Sequence, residues 1–220
     1  ICRTLQPGII INDRLDLMDV PGGWDVKTPE QTMVRKGVEY NGKRVPWETC
    51  QTFSGSWGYH REQSTWKSVK QLLFMLIDTV SKGGNLLLNV GPTARGIFDN
   101  RAMDRLNGIG EWMKLHNRSI YGCTEAPAGF KCPDNCILTY NPTKKRIYVN
   151  ILNWPLGRLY LDGYKGKVKY AQLLNDASEI QFSGLTDRDK RWVEDKKTLS
   201  LQLPTQKPDV VVPVIELFLK

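Results

Sequence analysis

Five carboxylates, one arginine and one tryptophan fall within INDRLDLMDVPGGWDVKTPEQT, residues Ile11–Thr32. The stretch follows the apolar run Gly8-Ile9-Ile10-Ile11 and is broken by Pro21-Gly22-Gly23. Its charges fit neither a helical stripe nor strand alternation, so it reads as a loop leaving a strand. Arg14 stands just past the isoleucines. A guanidinium held there could bind a hydroxyl-rich or anionic ligand, or orient a carboxylate. The alternative is a local ion pair with Asp13 or Asp16. Glu30 follows Thr28-Pro29, and proline keeps the residue before it extended. The Glu30 carboxyl could donate a proton if partly desolvated, or stay a solvated loop acid.

A second group is Trp47-Glu48-Thr49-Cys50 with Ser54-Gly55-Ser56-Trp57-Gly58-Tyr59-His60. Flat rings between glycines suit stacking on sugar faces or methyl groups. Trp47 reads as core, Trp57 equally as core or ligand-facing, and Glu48 as a second acid within or beside a strand. The Gly83–Pro92 region has neither a Walker lysine nor a GxGxxG pattern, so phosphate binding has little support. Its Asn85 and Asn89 read as backbone partners at strand ends. The five cysteines cannot all pair within the chain, although Cys132 and Cys136 could close a small loop. His60 and His116 are the only nitrogen donors of their kind, and neither has ligand spacing to another candidate. No metal site is therefore expected.

These loops need strands that end side by side. Ser68 and Gln71 have capping-box spacing, and Val69, Leu72, Leu73, Leu76, Ile77 and Val80 recur at helical intervals. They predict a helix over Thr65–Val80, closed by Gly83-Gly84. Leu86–Val90 is a continuous apolar run, expected as a parallel strand buried on both faces. Asp99 or Asn100 caps a second helix with Met103, Leu106, Ile109 and Met113 inward, ending near His116–Asn117. Strand, loop and helix in repetition mean βα units, whose sites lie at the carboxyl ends of the strands.

After Cys123 the texture changes. Short runs at Ile137–Tyr140, Arg146–Asn153, Leu199–Leu203 and Val210–Leu219 are separated by turn residues. Ile147, Val149 and Ile151 alternate with Tyr148, Asn150 and Leu152, which predicts an antiparallel β-sandwich. The expected fold is α/β plus all-β. Residues 1–125 form the C-terminal part of a (β/α) barrel, with its earlier strands expected upstream of Ile1, and residues 126–220 form the β-sandwich. No apolar run approaches the roughly 18–20 residues of a membrane span. The net charge of +8 is spread along the chain, with local excess at Lys144-Lys145-Arg146 and Lys165–Lys169. No basic helix or nucleic-acid motif accompanies it.

INDR, KTPEQT, WETCQTFSGSWGYHR, LIDTVSKGGNLLLNVGPTARGIF and RLNGIGEWMKLHNRSIYG together resemble the retaining α-L-fucosidases of glycoside hydrolase family 29. The resemblance covers roughly residues 8–125, and the remainder of the chain looks like that family's C-terminal sandwich. It implies removal of terminal α-L-fucose from fucosylated glycans by double displacement, without metal or cofactor. It makes Arg14 a residue of the fucose pocket, Glu30 the general acid/base, and Trp57 the aromatic packed on the fucose methyl side. The family's nucleophile is an aspartate of a Trp-x-Asp segment, which this sequence lacks. The chain is thus expected to be the C-terminal half of such an enzyme, catalytically incomplete alone and prone to associate with the missing half or other subunits. With the sequon Asn117-Arg118-Ser119, the resemblance implies an extracellular, periplasmic or lysosomal location. A rival from another class is a noncatalytic carbohydrate-binding or structural fragment. It would bind glycan through Tyr148, Trp154, Tyr160 or Tyr164, unless those rings are sandwich core.

Overall fold

In the computed structural model, residues 1–192 and 197–220 are described. A single helical turn, α1 (Cys2–Leu5), opens the chain. A small hairpin of β1 (Glu39–Tyr40) and β2 (Lys43–Arg44) turns through Asn41 and Gly42, both with positive φ. Such turns match the twist of paired strands.

Four parallel segments lie side by side. Asn12 bridges Val26, Lys27 bridges Trp47, and Glu30 bridges Cys50, all parallel. The last lies in β3 (Glu48–Thr52), which pairs in parallel with β4 (Asn85–Asn89). The isoleucine run before Asn12 does not form the expected strand. Its only ladder contact among the described residues is the Asn12–Val26 bridge, and Ile10 is 76% exposed. β-Branched sequence favours extended backbone, but a ladder needs a neighbour of matching length.

Between β3 and β4 runs α2 (Val69–Val80), capped as its sequence predicts. The Ser68 hydroxyl accepts from the Gln71 amide at 3.2 Å, and the Gln71 side chain accepts from the Ser68 amide at 2.8 Å. Leu72 and Met75 pack with half-buried Leu86 and Leu88 of β4. Leu87, on the opposite face, is 48% exposed, so β4 is covered on one side and not on both. A methyl group on Gly84 would lie 2.4 Å from the indole of Trp47, which is core as expected. Helix α3 (Asn100–His116) starts at Asp99, whose carboxylate accepts from the Ala102 amide at 3.0 Å. Its buried face carries Ala102, Trp112 and His116, whereas Met103 is 39% exposed. Leu106, Ile109 and Met113 pack half-buried against the core as expected, and the stripe widens to take in the indole and imidazole.

The rest is a two-sheet sandwich. β5 (Cys136–Asn141), β6 (Arg146–Ile151), β7 (Arg158–Leu161), β8 (Val168–Leu173), β9 (Phe182–Gly184), β10 (Leu199–Gln202) and β11 (Val214–Leu219) are all antiparallel in their pairings. The sheets run β5-β6-β11-β8 and β7-β10-β9. Ile147, Val149, Ile151, Leu161, Leu201, Ile215 and Leu217 fill the space between them. The alternation in β6 suggests a wet outer face, yet every residue of Ile147–Ile151 is buried. Tyr148 and Val214 on that outer face pack with Leu73, Ile77 and Trp112 of the two helices. The Trp112 indole also donates to the Val212 carbonyl at 2.7 Å. The polar centre of this junction is Glu216, 2% exposed. It accepts from the Tyr148 hydroxyl at 3.2 Å and the Gln172 amide at 2.7 Å, with Arg118 at 3.4 Å and Arg146 at 3.7 Å.

His116 is fully buried, stacked on Trp112 at 4.8 Å, and hydrogen-bonded through Nδ1 to the Trp112 carbonyl. Its Nε2 has no partner among the described residues. Burial lowers its pKa, partly offset by the Trp112 bond. The unfolded chain, near the ordinary value of about 6.5, therefore takes up a proton before the folded one does. Stability from neutral His116 is complete above that value and falls as the pH drops below it. Urea midpoints at pH 7.5 and 5.5 are expected to show the loss, and His116→Leu to flatten it. An equal pH dependence in the variant assigns the effect elsewhere.

Candidate functional site

The candidate residues Arg14 and Glu30 lie toward the carboxyl ends of the parallel segments. Two of them stop abruptly. Leu15 and Asp16 after Arg14 have φ of 38° and 57°, and Gln31 after Glu30 has φ of 52°. Left-handed backbone costs a non-glycine residue about 1–2 kcal/mol. Here it turns the chain away directly after Arg14 and Glu30.

The structure brings Arg14 and Glu30 together, with Nη1 and Oε2 2.9 Å apart. Neither Asp13 nor Asp16 pairs with Arg14. Its Nε donates to the Thr28 hydroxyl and its Nη2 to the Thr28 carbonyl, both at 2.8 Å. Three edges of one guanidinium are thereby fixed, which a lysine could not reproduce. Both members of the pair remain over a third exposed, so the contact is open to a ligand. A cleft of about 330 Å³ beside them is lined by Met18, Pro29 and Val38 as well as Arg14, Thr28 and Glu30. That size suits one monosaccharide ring.

Behind the pair stands Asp13, which spacing offers only as a local partner for Arg14. It is 4% exposed. Its Oδ1 accepts from the Thr28 amide at 2.9 Å and the Thr28 hydroxyl at 2.6 Å, and Lys27 lies 3.4 Å from Oδ2. The Thr28 hydroxyl donates to Asp13 and accepts from Arg14, so Asp13 sets the orientation of the guanidinium through it. Burial pushes the Asp13 carboxyl up, but the bonds from Thr28 and Lys27 outweigh burial and hold it below the usual carboxylate range. That contribution to stability is present above about pH 4 and fades as pH falls through the lowered pKa. Asp13→Ala takes the acceptor from the half-buried Thr28 amide and hydroxyl and the carboxylate from Lys27, whose ammonium keeps the Met18 carbonyl and the Trp24 ring. We expect a loss of about 1–3 kcal/mol, seen in denaturant unfolding, and a weaker hold on Arg14. An unchanged midpoint overturns this assignment.

Trp57 lies on the loop after β3, 40% exposed, and its carbonyl accepts from the Asn89 side chain at 2.6 Å. It is not among the residues lining the Arg14–Glu30 cleft. Lys67 fixes the start of that loop by donating to the Thr52 carbonyl at 2.6 Å and the Ser54 carbonyl at 3.2 Å. Burial lowers its pKa. Glu48 begins β3, at the end away from Glu30, and its amide donates to the Lys27 carbonyl at 2.9 Å. All five cysteines are free, and Cys132 donates through sulfur to the Cys136 carbonyl at 3.2 Å. Among the described residues no group of three or more His, Cys, Asp or Glu is placed to hold a metal. No helix among them is long and apolar enough to cross a membrane.

Parallel strands that deliver an acid and a guanidinium to their carboxyl ends, backed by an antiparallel sandwich, have the layout of a barrel-type glycoside hydrolase. The family profile described as Alpha-L-fucosidase matches residues 1–118, and the chain belongs to that family. It is 38% identical over 120 residues to rat (Rattus norvegicus) plasma alpha-L-fucosidase, covering 52% of this chain and 26% of the relative. It is 37% identical over 216 residues to the alpha-L-fucosidase of Dictyostelium discoideum, covering 96% and 42%. Alpha-L-fucosidase isoenzyme 1 from Paenibacillus thiaminolyticus superposes with a TM-score of 0.87 at 34% identity, over 99% of this chain and 52% of that one. A trapped covalent intermediate of a Bacteroides thetaiotaomicron alpha-L-fucosidase with 2-fluoro-fucosyl fluoride gives 0.79 at 25% identity, over 99% and 50%. The chain thus spans well under half the length of these two curated relatives and about half of these solved chains.

Proposed function

We propose that residues 1–220 carry the proton-shuttle side of a retaining α-L-fucosidase site, with residues 1–125 as its barrel portion and 126–220 as its sandwich. The observation that carries this reading is the 2.9 Å contact of Arg14 with Glu30 at the ends of neighbouring parallel segments. In the first half-reaction the Glu30 carboxyl gives its proton to the glycosidic oxygen as the bond from that oxygen to the fucose anomeric carbon breaks. A second carboxylate forms the covalent bond to that carbon. In the return step Glu30 takes a proton from water, whose oxygen displaces the second carboxylate. Arg14 Nη1 holds the Glu30 carboxyl in place from 2.9 Å, and a fucose hydroxyl can compete for that contact. Trp57 offers an apolar face on the adjoining loop.

We assign the nucleophile to none of the nearby aspartates. Asp13 is held by Thr28 and Lys27, and Asp25 accepts from the Ile11 amide at 2.8 Å and pairs with Arg3 at 3.0 Å. Asp16 and Asp19 lie on the loop past Arg14, outside any Trp-x-Asp segment. The reading implies a fucosylated glycan as substrate. The exposed Asn117 of the sequon, and relatives named plasma alpha-L-fucosidase, support a location outside the cytosol. Tyr148 and Tyr164 have no exposed surface, so a glycan platform built on them has no support.

The test is direct. The purified 220-residue chain is expected to leave an aryl α-L-fucoside intact, yet to bind fucose in calorimetry, with binding lost in Arg14→Ala. Sustained turnover by the chain overturns the absence of a nucleophile. Fucose binding that survives Arg14→Ala overturns the site.

A further inference from the structure

The two basic runs that are separate in the sequence meet at one end of the sandwich. The β5–β6 turn carries Lys144 and Lys145, and the β7–β8 connection carries Lys165 and Lys167. Strand β11 lies between them. The Leu219 amide donates to the Lys145 carbonyl at 3.2 Å, and Leu219 stands opposite Val168 in β8. Lys145 and Lys167 are therefore about two strand spacings, roughly 10 Å, apart. Lys131 joins them, since its carbonyl accepts from the Tyr164 hydroxyl at 3.0 Å. Lys169 follows on β8, and all six lysines are exposed.

None of these lysines pairs with a carboxylate among the described residues. Of the acids in the adjoining loops, Asp162 accepts from Thr198 at 2.7 Å, Glu125 lies 3.2 Å from Arg44 and Asp187 lies 2.7 Å from Lys190, which leaves exposed Asp134, three residues past Lys131, against six lysines. The roughly 10 Å between Lys145 and Lys167 is close to the Debye length of about 8 Å at physiological salt, so like charges at that spacing are only partly screened from one another. A polyanion laid across them relieves that repulsion and releases its counterions.

We propose that this end of the sandwich binds a sulfated or carboxylated polysaccharide. Lysines are compact point charges suited to separate anionic groups along a chain. Single-stranded nucleic acid would want exposed rings for its bases. The ring pairs here are Tyr170 with Phe218 and Phe130 with Tyr164, edge to face at 5.1 Å and 4.9 Å, and Arg146 covers Phe218 at 3.8 Å while Lys167 covers Phe130 at 4.8 Å. The choice of a glycan rests on the fucosidase reading, whereas the charge cluster does not. Such a surface would hold an anionic polymer by its body while its terminal residue is processed elsewhere.

Dextran sulfate, which contains no fucose, separates the two claims. Calorimetry at 0.15 M salt is expected to show binding to the 220-residue chain, with neutral dextran inert. The triple variant Lys145→Gln, Lys165→Gln, Lys169→Gln should bind about tenfold more weakly, because fewer counterions are released. A control of equal charge, Arg35→Gln, Lys36→Gln, Lys43→Gln, alters exposed positions outside the sandwich and should stay within about twofold. Unchanged thermal midpoints in both establish that they fold. No binding by the parent chain, equal losses in the two variants, or tighter binding of a DNA duplex of matched charge each overturns the proposal. The fucosidase reading survives any of these outcomes, because its own test uses fucose and Arg14.

Discussion

Replacing Glu30 by alanine is expected to slow hydrolysis of α-L-fucosides with poor leaving groups by about 10²–10⁴-fold. On the proposed reading, the assay joins residues 1–220 to a segment that carries the nucleophile. The size of the effect would reflect the two jobs proposed for one carboxyl group. An alkoxide leaving group would need a proton from Glu30, whereas an activated phenolate leaves without it. Activated substrates should therefore form the covalent intermediate readily and stall there, because water attacks slowly without a base. Azide, which needs no base, should fit the space left by the side chain and restore turnover as a fucosyl azide. Arg14→Ala in the same protein should weaken fucose binding while leaving the shuttle in place. Near-parental rates for Glu30→Ala on every substrate would remove Glu30 from the mechanism.

The largest stability effect away from the cleft is expected at Glu216. Glu216→Ala leaves the Tyr148 hydroxyl and the Gln172 amide without their acceptor, and Arg146, only 22% exposed, without its carboxylate. Breaking a buried charge cluster at one member costs about 3–5 kcal/mol. Arg118 is 45% exposed and can turn to water, which places the expected loss near the lower end of that range. Glu216→Gln keeps an acceptor for Tyr148 and should be milder. Equilibrium unfolding in urea separates the two, and a loss under about 1 kcal/mol for alanine would show that the cluster is not essential. The same substitution relieves Tyr148, whose phenol is pushed up by burial and by the Glu216 charge.

What can be read in the sequence depends on whether the signal is local. The capping box at Ser68 and the stripe behind it mark α2, which ends at Val80 as expected but starts at Val69 and not at Thr65, because Ser68 is its N-cap. The parallel character of β4 is legible from its glycine-bounded apolar run, but its covering is not. Leu87 faces away from α2, a matter of packing that no run of leucines reveals. Strands β7 and β9 are only four and three residues long, and the lysines flanking and within β8 hide its alternation. Arg14 and Glu30 are each visible as candidates, but spacing favours Asp13 or Asp16 as the partner of Arg14. The pairing with Glu30 arises because Asn12 and Val26 are neighbours in the sheet. The role of Asp13 behind Thr28 is hidden because an acid beside an arginine reads as its ion-pair partner, and only its burial and its bonds to Thr28 show otherwise.

The outer face of the β5-β6-β11-β8 sheet has a consequence for ancestry. A sandwich with one dry and one wet face can be shuffled between unrelated enzymes as a self-sufficient cassette. This one presents Tyr148 and Val214 to Leu73, Ile77 and Trp112, and threads Arg118 into its own Glu216. Cut free of α2 and α3, it would carry an apolar wound and aggregate. Recombination could then move it only together with those two helices, so the sandwich and the last turns of the barrel are expected to have been inherited as one piece.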